Sequence, residues 1–268
     1  TSVTTAIKGS MSSEQEDRNA VTLLFGNQVD AMLEGIAAGL TFEEALKESN
    51  VLSQKANLKR FQQGKGFIVG ISEEILKNIY NTLNDLINDP NVIDEGAVIV
   101  PQIIVGDYNS GIAGSIDLLV INTDGSLEVI DLKASTNSIN RTKTQDGITI
   151  NTYADVKYPV SDDSLLAEGT QLSTKAQQGI QVSTYRRILQ NLNYTVRGSK
   201  TIHFYLKTEG QGNNREVLGF EYEGTVYHSI SDNDIYVDQL VESNNAPGNK
   251  FNPNYVRSRE FIDKDAMA

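Results

Sequence analysis

The chain contains no cysteine, which excludes disulfide partners and thiolate metal sites. Its two histidines, His203 and His228, leave little scope for a histidine-built zinc centre. No apolar run approaches the length of a membrane span. The N-terminal stretch TSVTTAIKGSMSSEQEDRNA is polar and lacks a signal-peptide core. The setting expected from these absences is cytoplasmic, with no membrane contact. Basic residues are also scarce: 23 Lys and Arg stand against 35 Asp and Glu, a net charge of −12. That balance argues against broad, non-specific nucleic-acid binding, which needs lysine and arginine to neutralise phosphates. A local basic groove stays compatible with it. The remaining composition, 39% hydrophobic and 22% charged over 268 residues, is that of a globular protein with one large domain or two small ones.

What is present is centred on Gly111 to Ser135, GIAGSIDLLVINTDGSLEVIDLKAS, which reads as a β-hairpin. Its arms, Ile116 to Ile121 and Leu127 to Leu132, are apolar and rich in β-branched residues. Asn122-Thr123-Asp124-Gly125-Ser126 between them is a strong turn signal. Asp117, Asp131 and Lys133 stand out against these arms. A carboxylate on a buried strand is costly unless a cation or hydrogen bonds compensate it.

Register decides whether the three can meet. Asp131 and Lys133 are two apart and share a sheet face. A three-residue loop, Thr123-Asp124-Gly125, places Asp117 opposite Asp131 on that face, with Gly125 at the position that favours a left-handed glycine. A two-residue Asp124-Gly125 turn pairs Asp117 with Leu132 and sends it to the other face. Only the first turn explains the charges. Two carboxylates and an ammonium on one face suit a hard divalent cation such as Mg²⁺. The competing reading is a surface hairpin whose acids face solvent.

These residues resemble the PD-(D/E)xK nuclease superfamily, and most closely its RecB-type branch. Gly114-Ser115-Ile116-Asp117 and Asp131-Leu132-Lys133 match the G-x-x-D and D-x-K elements, and Gln181-Val182-Ser183-Thr184-Tyr185 matches the Q-x-x-x-Y motif of the following helix. An upstream family helix carries glycine, histidine and glutamate at four-residue intervals; here Gly26, Asp30 and Glu34 hold those places. The resemblance spans roughly Leu23 to Leu189, with a long poorly matched interval inside. It departs from the pattern at Asp30, which replaces histidine, and in the strand Ala97 to Val105, where Gln102 is the nearest polar residue to a frequent glutamate. The absence of cysteine removes the iron–sulfur cluster of some relatives.

The resemblance implies a metal-dependent deoxyribonuclease acting on DNA, with Mg²⁺ or Mn²⁺ as cofactor. Asp117 and Asp131, with Asp30, are the implied metal ligands, and the Ile130 or Leu132 carbonyl is a further oxygen donor. Lys133 is the implied catalytic cation and Glu34 an auxiliary catalytic acid. Gln181 and Tyr185 are the implied substrate-binding pair. Work within a larger nucleic-acid-processing complex is compatible with this. A catalytically inactive nuclease-fold protein, acting as a binding or structural module, is the first alternative. An unrelated acidic α/β interaction protein is the second.

The expected fold is α/β with a restriction-endonuclease-like core: a central mixed sheet from residues 97–105, 112–121, 127–133, 201–207 and 215–222, flanked by helices 20–40 and 172–191. Residues 1–18 read as a flexible lead-in, 19–241 as one domain and 242–268 as a polar tail. Thr41 to Lys47 reads as a short helix with a Thr41–Glu44 capping box. Ser72 to Ile87 is amphipathic and capped by Ser72. Pro101 marks its strand as an edge or a bulge. Asn57 to Gly70 is a basic surface loop or a phosphate-touching one. Ser231 to Val241 reads as a helix capped by Ser231 or Asp232. Ser135 to Thr174 reads as long, polar and irregular. It is either a variable insertion or a substrate contact through Lys143, Lys157 and Lys175, with Tyr153 and Tyr158 stacking on bases.

Overall fold

The computed structural model describes residues 13–107, 111–160, 164–210, 215–229 and 233–244. Three helices come first: α1 (Ser13–Ala37), α2 (Phe42–Gln62) and α3 (Glu73–Ile87). Strands β1 (Val98–Asp107), β2 (Ile112–Ile121) and β3 (Leu127–Ser135) follow. Four short strands come next: β4 (Thr142–Gln145), β5 (Ile148–Asn151), β6 (Lys157–Pro159) and β7 (Gln171–Ser173). The chain then forms α4 (Thr174–Asn191), β8 (Val196–Glu209), β9 (Glu216–Tyr227) and α5 (Asp234–Asn244).

The central sheet has the order β1-β2-β3-β8-β9. Only β3 and β8 run parallel; the other neighbours are antiparallel. A parallel pair needs a crossover, and α4 supplies it by packing back on the sheet. The sheet is therefore mixed and helix-flanked, as the element pattern implies.

Both faces of the hairpin are covered. Leu118, Val120, Ile130 and Leu132 pack toward Phe25, Met32 and Leu33 of α1 and Ile79 and Leu83 of α3. Leu119, Leu127 and Val129 pack toward Ile180, Val182 and Leu189 of α4. Burial on both sides accounts for the nearly unbroken apolar arms. It also removes the reading of a solvent-facing hairpin.

Several elements differ in extent from the sequence reading. Helix α1 begins at Ser13, inside the stretch read as a lead-in; residues 1–12 lie outside the described residues. Helix α2 runs fifteen residues past Lys47, to Gln62. Its apolar signal fades because few of its side chains reach the core: Phe42, Ala45, Ser49 and Arg60 are the buried ones. The Thr41–Glu44 capping box does form, and Gln28 Nε2 donates to Ser49 Oγ at 3.1 Å. Arg60 is buried and its Nε donates to the Gly66 carbonyl at 2.8 Å, so it closes the chain reversal after α2. Ser72 caps α3 as expected.

The interval 135–174 contains two small antiparallel pairs, β4–β5 and β6–β7. Asp146 and Gly147 both have positive φ, at 51° and 78°, the two-residue hairpin turn that an Asp-Gly pair signals. The proposed caps of α5, Ser231 and Asp232, and the tail beyond Asn244 lie outside the described residues. Among the described residues no helix is long and apolar enough to cross a membrane.

Candidate active site

The hairpin takes the three-residue loop. Leu118 pairs with Ile130, Leu119 with Val129, Val120 with Glu128 and Ile121 with Leu127. Asn122 N donates to the Ser126 carbonyl at 2.8 Å, Gly125 N donates to the Asn122 carbonyl at 2.9 Å, and Gly125 has φ +79°. Extending this register puts Asp117 opposite Asp131. The β2–β3 ladder ends at Leu118–Ile130, while β3 continues along β8 to Ser135. At the split, Leu132 N–H donates to Asp117 Oδ2 at 2.8 Å. The carboxylate thus takes the place of a ladder acceptor and is aimed by the main chain.

The opposite strand is also irregular here. In β1, Pro101 pairs with Leu118 and Ile103 with Ile116, and Gln102 between them has φ 49°. A left-handed glutamine is uncommon and strained. Its side-chain Oε1 accepts from Ser115 Oγ at 3.0 Å.

Asp131 is 1% exposed, and its Oδ2 lies 2.5 Å from Lys133 Nζ. Helix α4 closes this pair from above. Gln181 Oε1 accepts from Lys133 Nζ at 3.2 Å, and its Nε2 donates to Asp131 Oδ1 at 3.2 Å. The same amide lies 3.2 Å from Tyr185 OH. One glutamine therefore reads both members of the ion pair, and a buried tyrosine orients that glutamine.

The electrostatics follow from burial. Desolvation, then the Asp131 and Asp30 charges, push the Asp117 carboxyl well above its ordinary range. Desolvation and Asp131 raise Asp30 to about 7. For Lys133, burial favours the neutral amine, but Asp131 and Asp117 outweigh it and its pKa rises. Burial also raises the Tyr185 hydroxyl, which stays protonated at neutral pH. The cluster thus sets carboxyls Asp30, Asp117 and Asp131 against the Lys133 ammonium.

Asp117, Asp131, Lys133, Gln181 and Tyr185 come together in space, and Asp30 of α1 feels their charges. Glu34 is placed differently. It is exposed, and desolvation and Glu48 of α2 raise its carboxyl. No hydrogen bond or ion pair joins it to the hairpin residues among those described.

Gly114 shows why the first motif opens on glycine. A Cβ there would lie 2.6 Å from Tyr185 Cε1 and 3.0 Å from its hydroxyl oxygen. Gly114→Ala is expected to destabilise the fold by about 1–3 kcal/mol, the usual cost of overpacking. Urea unfolding measures it. Tyr185→Leu should recover most of that loss in the double variant, because it removes the clashing ring; a purely additive pair would exclude the contact as the cause.

Sequence reasoning gave Gln178, Thr201 and His203 no role and read Tyr153 as a base-stacking ring; the structure instead buries Tyr153 in a second polar group beside the site. Tyr153 OH donates to Gln178 Oε1 at 2.6 Å and lies 3.1 Å from His203 Nε2. Thr201 Oγ1 links His203 and His228, at 2.9 and 3.0 Å. Burial, then Lys133, lower His203 to about 4, so it is neutral at physiological pH. The parallel register sets His203 beside Lys133. A histidine inside the strand TIHFYLK was the one available signal.

The chemistry of the donors can be tested against a divalent cation. Asp131 Oδ2 is buried and accepts no hydrogen bond; the Lys133 ammonium is its partner. The carboxylates are hard oxygen donors in charge excess over that ammonium, and this suits Mg²⁺ or Mn²⁺. Among the described residues no group of three or more His, Cys, Asp or Glu is arranged as a complete ligand set. Two carboxylates with waters and substrate oxygens are the usual Mg²⁺ complement.

No family model matches the chain, and no curated protein matches it. Among solved structures, one named "Putative exonuclease", from Eubacterium rectale, aligns at 14% identity over 93% of this chain and 82% of that one, with a TM-score of 0.36.

Proposed function

We propose that this protein is a metal-dependent nuclease of the PD-(D/E)xK type, RecB-like, that hydrolyses DNA phosphodiester bonds. The observation that carries the reading is the split hairpin. Asp117 and Asp131 face each other where the ladder opens, and Lys133 and Gln181 lie on the same face. Asp117 and Asp131 would hold Mg²⁺ or Mn²⁺, with Asp30 as an outer acid. The bound ion would offset charge on the nonbridging oxygens and make an attacking water more acidic.

The chain's own residues have distinct tasks in this reading. Leu132 N–H fixes the Asp117 carboxylate. Lys133, kept charged by its acidic neighbours, presents an ammonium to the phosphoryl oxygens. Gln181 shares its amide between Lys133 and Asp131 and sets the distance between them. Tyr185 holds Gln181 in place. Asp30, with its carboxyl near 7, can hold or release a proton around neutrality. Glu34 belongs to the same helix as an outer acid without contact to the reacting atoms.

The second reading, a non-catalytic module on the same fold, draws on the Asp131–Lys133 ion pair, which neutralises one proposed ligand, and on the incomplete ligand set. Cleavage of linear and circular DNA with Mn²⁺, Mg²⁺ or EDTA decides between the two. The nuclease reading expects cutting with either ion and none in EDTA. Protein that binds Mn²⁺ by calorimetry yet leaves every DNA and RNA substrate intact is the module.

A further inference from the structure

A cleft of about 320 Å³ opens beside the candidate active site, between the β4–β7 insertion and the N-terminal half of α4. Its floor is His203, the register neighbour of Lys133, and Gln178, which lies three residues before Gln181 on α4. Its walls carry Arg141, Lys143, Tyr153 and Tyr158. The volume sits at the lower end of the range for ligand sites. The lining is a mixture of cations, aromatic rings and amide or hydroxyl groups.

The two cations give the cleft a local basic character in a chain whose net charge is −12. Arg141 and Lys143 are exposed, and among the described residues neither lies within ion-pairing distance of a carboxylate. The aromatic pair is divided in role. Tyr153 is 9% exposed and locked by Gln178 and His203. Tyr158 is 51% exposed and presents its ring. The insertion itself is anchored. Ser138 Oγ and Ile139 N–H both donate to the Glu223 carboxylate of β9, and Asn151 Nδ2 donates to the Ile139 carbonyl at 2.7 Å.

We infer that this cleft binds an unpaired nucleotide of a single DNA strand next to the scissile phosphate. The inference rests on the nuclease reading for the position of that phosphate. Arg141 and Lys143 meet the strand's phosphates, and Tyr158 stacks on a base, a contact every base can make. A base inside the cleft is out of its duplex stack, so the substrate is single-stranded at this point or frayed at an end.

The test is binding in EDTA, where no cutting is required. The probe is a fluorescein-labelled oligothymidylate of about eight nucleotides, compared by anisotropy with a blunt duplex of similar length. Wild-type protein is expected to bind the single strand more tightly. Tyr158→Ala should weaken that binding by about tenfold, the scale of one lost stack. Arg141→Ala with Lys143→Ala should weaken it and flatten the dependence of log K on log salt by about 1.4, the single-strand value for two phosphates. These side chains are exposed, and unchanged thermal melts certify the folds. Equal affinity for duplex, or variants that bind like wild type, overturns the cleft assignment. Tighter binding of the matching oligoribonucleotide also overturns it, in favour of RNA. Wild type that binds the strand but cleaves nothing with Mn²⁺ leaves the cleft standing and removes the nuclease reading; cleavage with unaltered variant binding does the reverse.

Discussion

Asp117→Asn is expected to remove metal-dependent DNA cleavage and, in the same protein, to raise the melting temperature of the metal-free form at neutral pH. The two effects have one origin. In the folded chain the half-buried Asp117 carboxyl feels desolvation and the Asp131 and Asp30 charges, so its ionised form is disfavoured. A carboxyl raised above its ordinary value near 3.8 contributes full stability below that value and loses it as pH rises through the folded pKa. Asp30 behaves alike, with its loss spread from about 4 to about 7. Asparagine carries no charge, and its amide oxygen can still accept from Leu132 N–H. The variant's advantage over wild type should therefore be small near pH 4 and grow toward pH 8 in EDTA. Scanning fluorimetry over that range is the measurement, and a shift of a few degrees is the expected scale for a chain of this size. Activity with Mn²⁺ should fall by about 10³-fold or more, because an ion in such a site provides several kcal/mol of transition-state charge stabilisation. A variant that cuts DNA at the wild-type rate would place the active site elsewhere. One that melts lower at pH 8 would show that Asp117 contributes to the metal-free fold through a bond asparagine cannot make.

Lys133→Met should produce the reverse pattern in stability. The substitution keeps an unbranched chain of similar length but removes the ammonium. Asp131 is 1% exposed and then has no cation at 2.5 Å. Stranding one member of a buried pair costs about 3–5 kcal/mol. The metal-free variant should lose a large part of its stability at pH 7, read as a lower urea midpoint. Adding Mn²⁺ should restore more stability to this variant than it adds to wild type, since the ion supplies charge that lysine no longer does. Asp131→Asn in the same chain should recover much of the loss, as expected for contacting groups whose effects are not additive. Cleavage should drop by about 10²–10³-fold even where metal saturates the site, the range seen on removing one charge-stabilising donor. Equal Mn²⁺ stabilisation of variant and wild type would separate Lys133 from the metal-binding acids.

The hairpin was legible because its physics is local. The period-two pattern set the faces, and the charges singled out the three-residue loop that brings Asp117 to Asp131, since Gly125 suits the two-residue turn as well. The α4 pair Gln181 and Tyr185 was legible only through the resemblance to the Q-x-x-x-Y motif; its four-residue step alone fits an exposed polar face equally well. The Asp30–Glu34 row on α1 reached less far. Asp30 feels the charges of Asp131 and Lys133, while Glu34, one turn on, is exposed and feels Glu48 of α2 instead. The length of α2 was hidden because its polar surface leaves no apolar period. The small strands of the insertion were hidden because strands of three or four residues, mostly exposed, leave no alternation to read. Nothing local could announce the left-handed Gln102, which tertiary structure imposes where β1 passes Asp117.

That residue and its neighbour give the sheet a property unrelated to chemistry. Strand β1 is an outer strand, and an outer strand offers its unused N–H and C=O groups to any extended chain that drifts past. Pro101 has no N–H to offer, and the left-handed turn at Gln102 breaks the repeat that a docking strand would have to follow. The margin of the sheet nearest the acidic cluster is thereby closed to a sixth strand, and copies of the protein at high concentration have no straight template there on which to zip together.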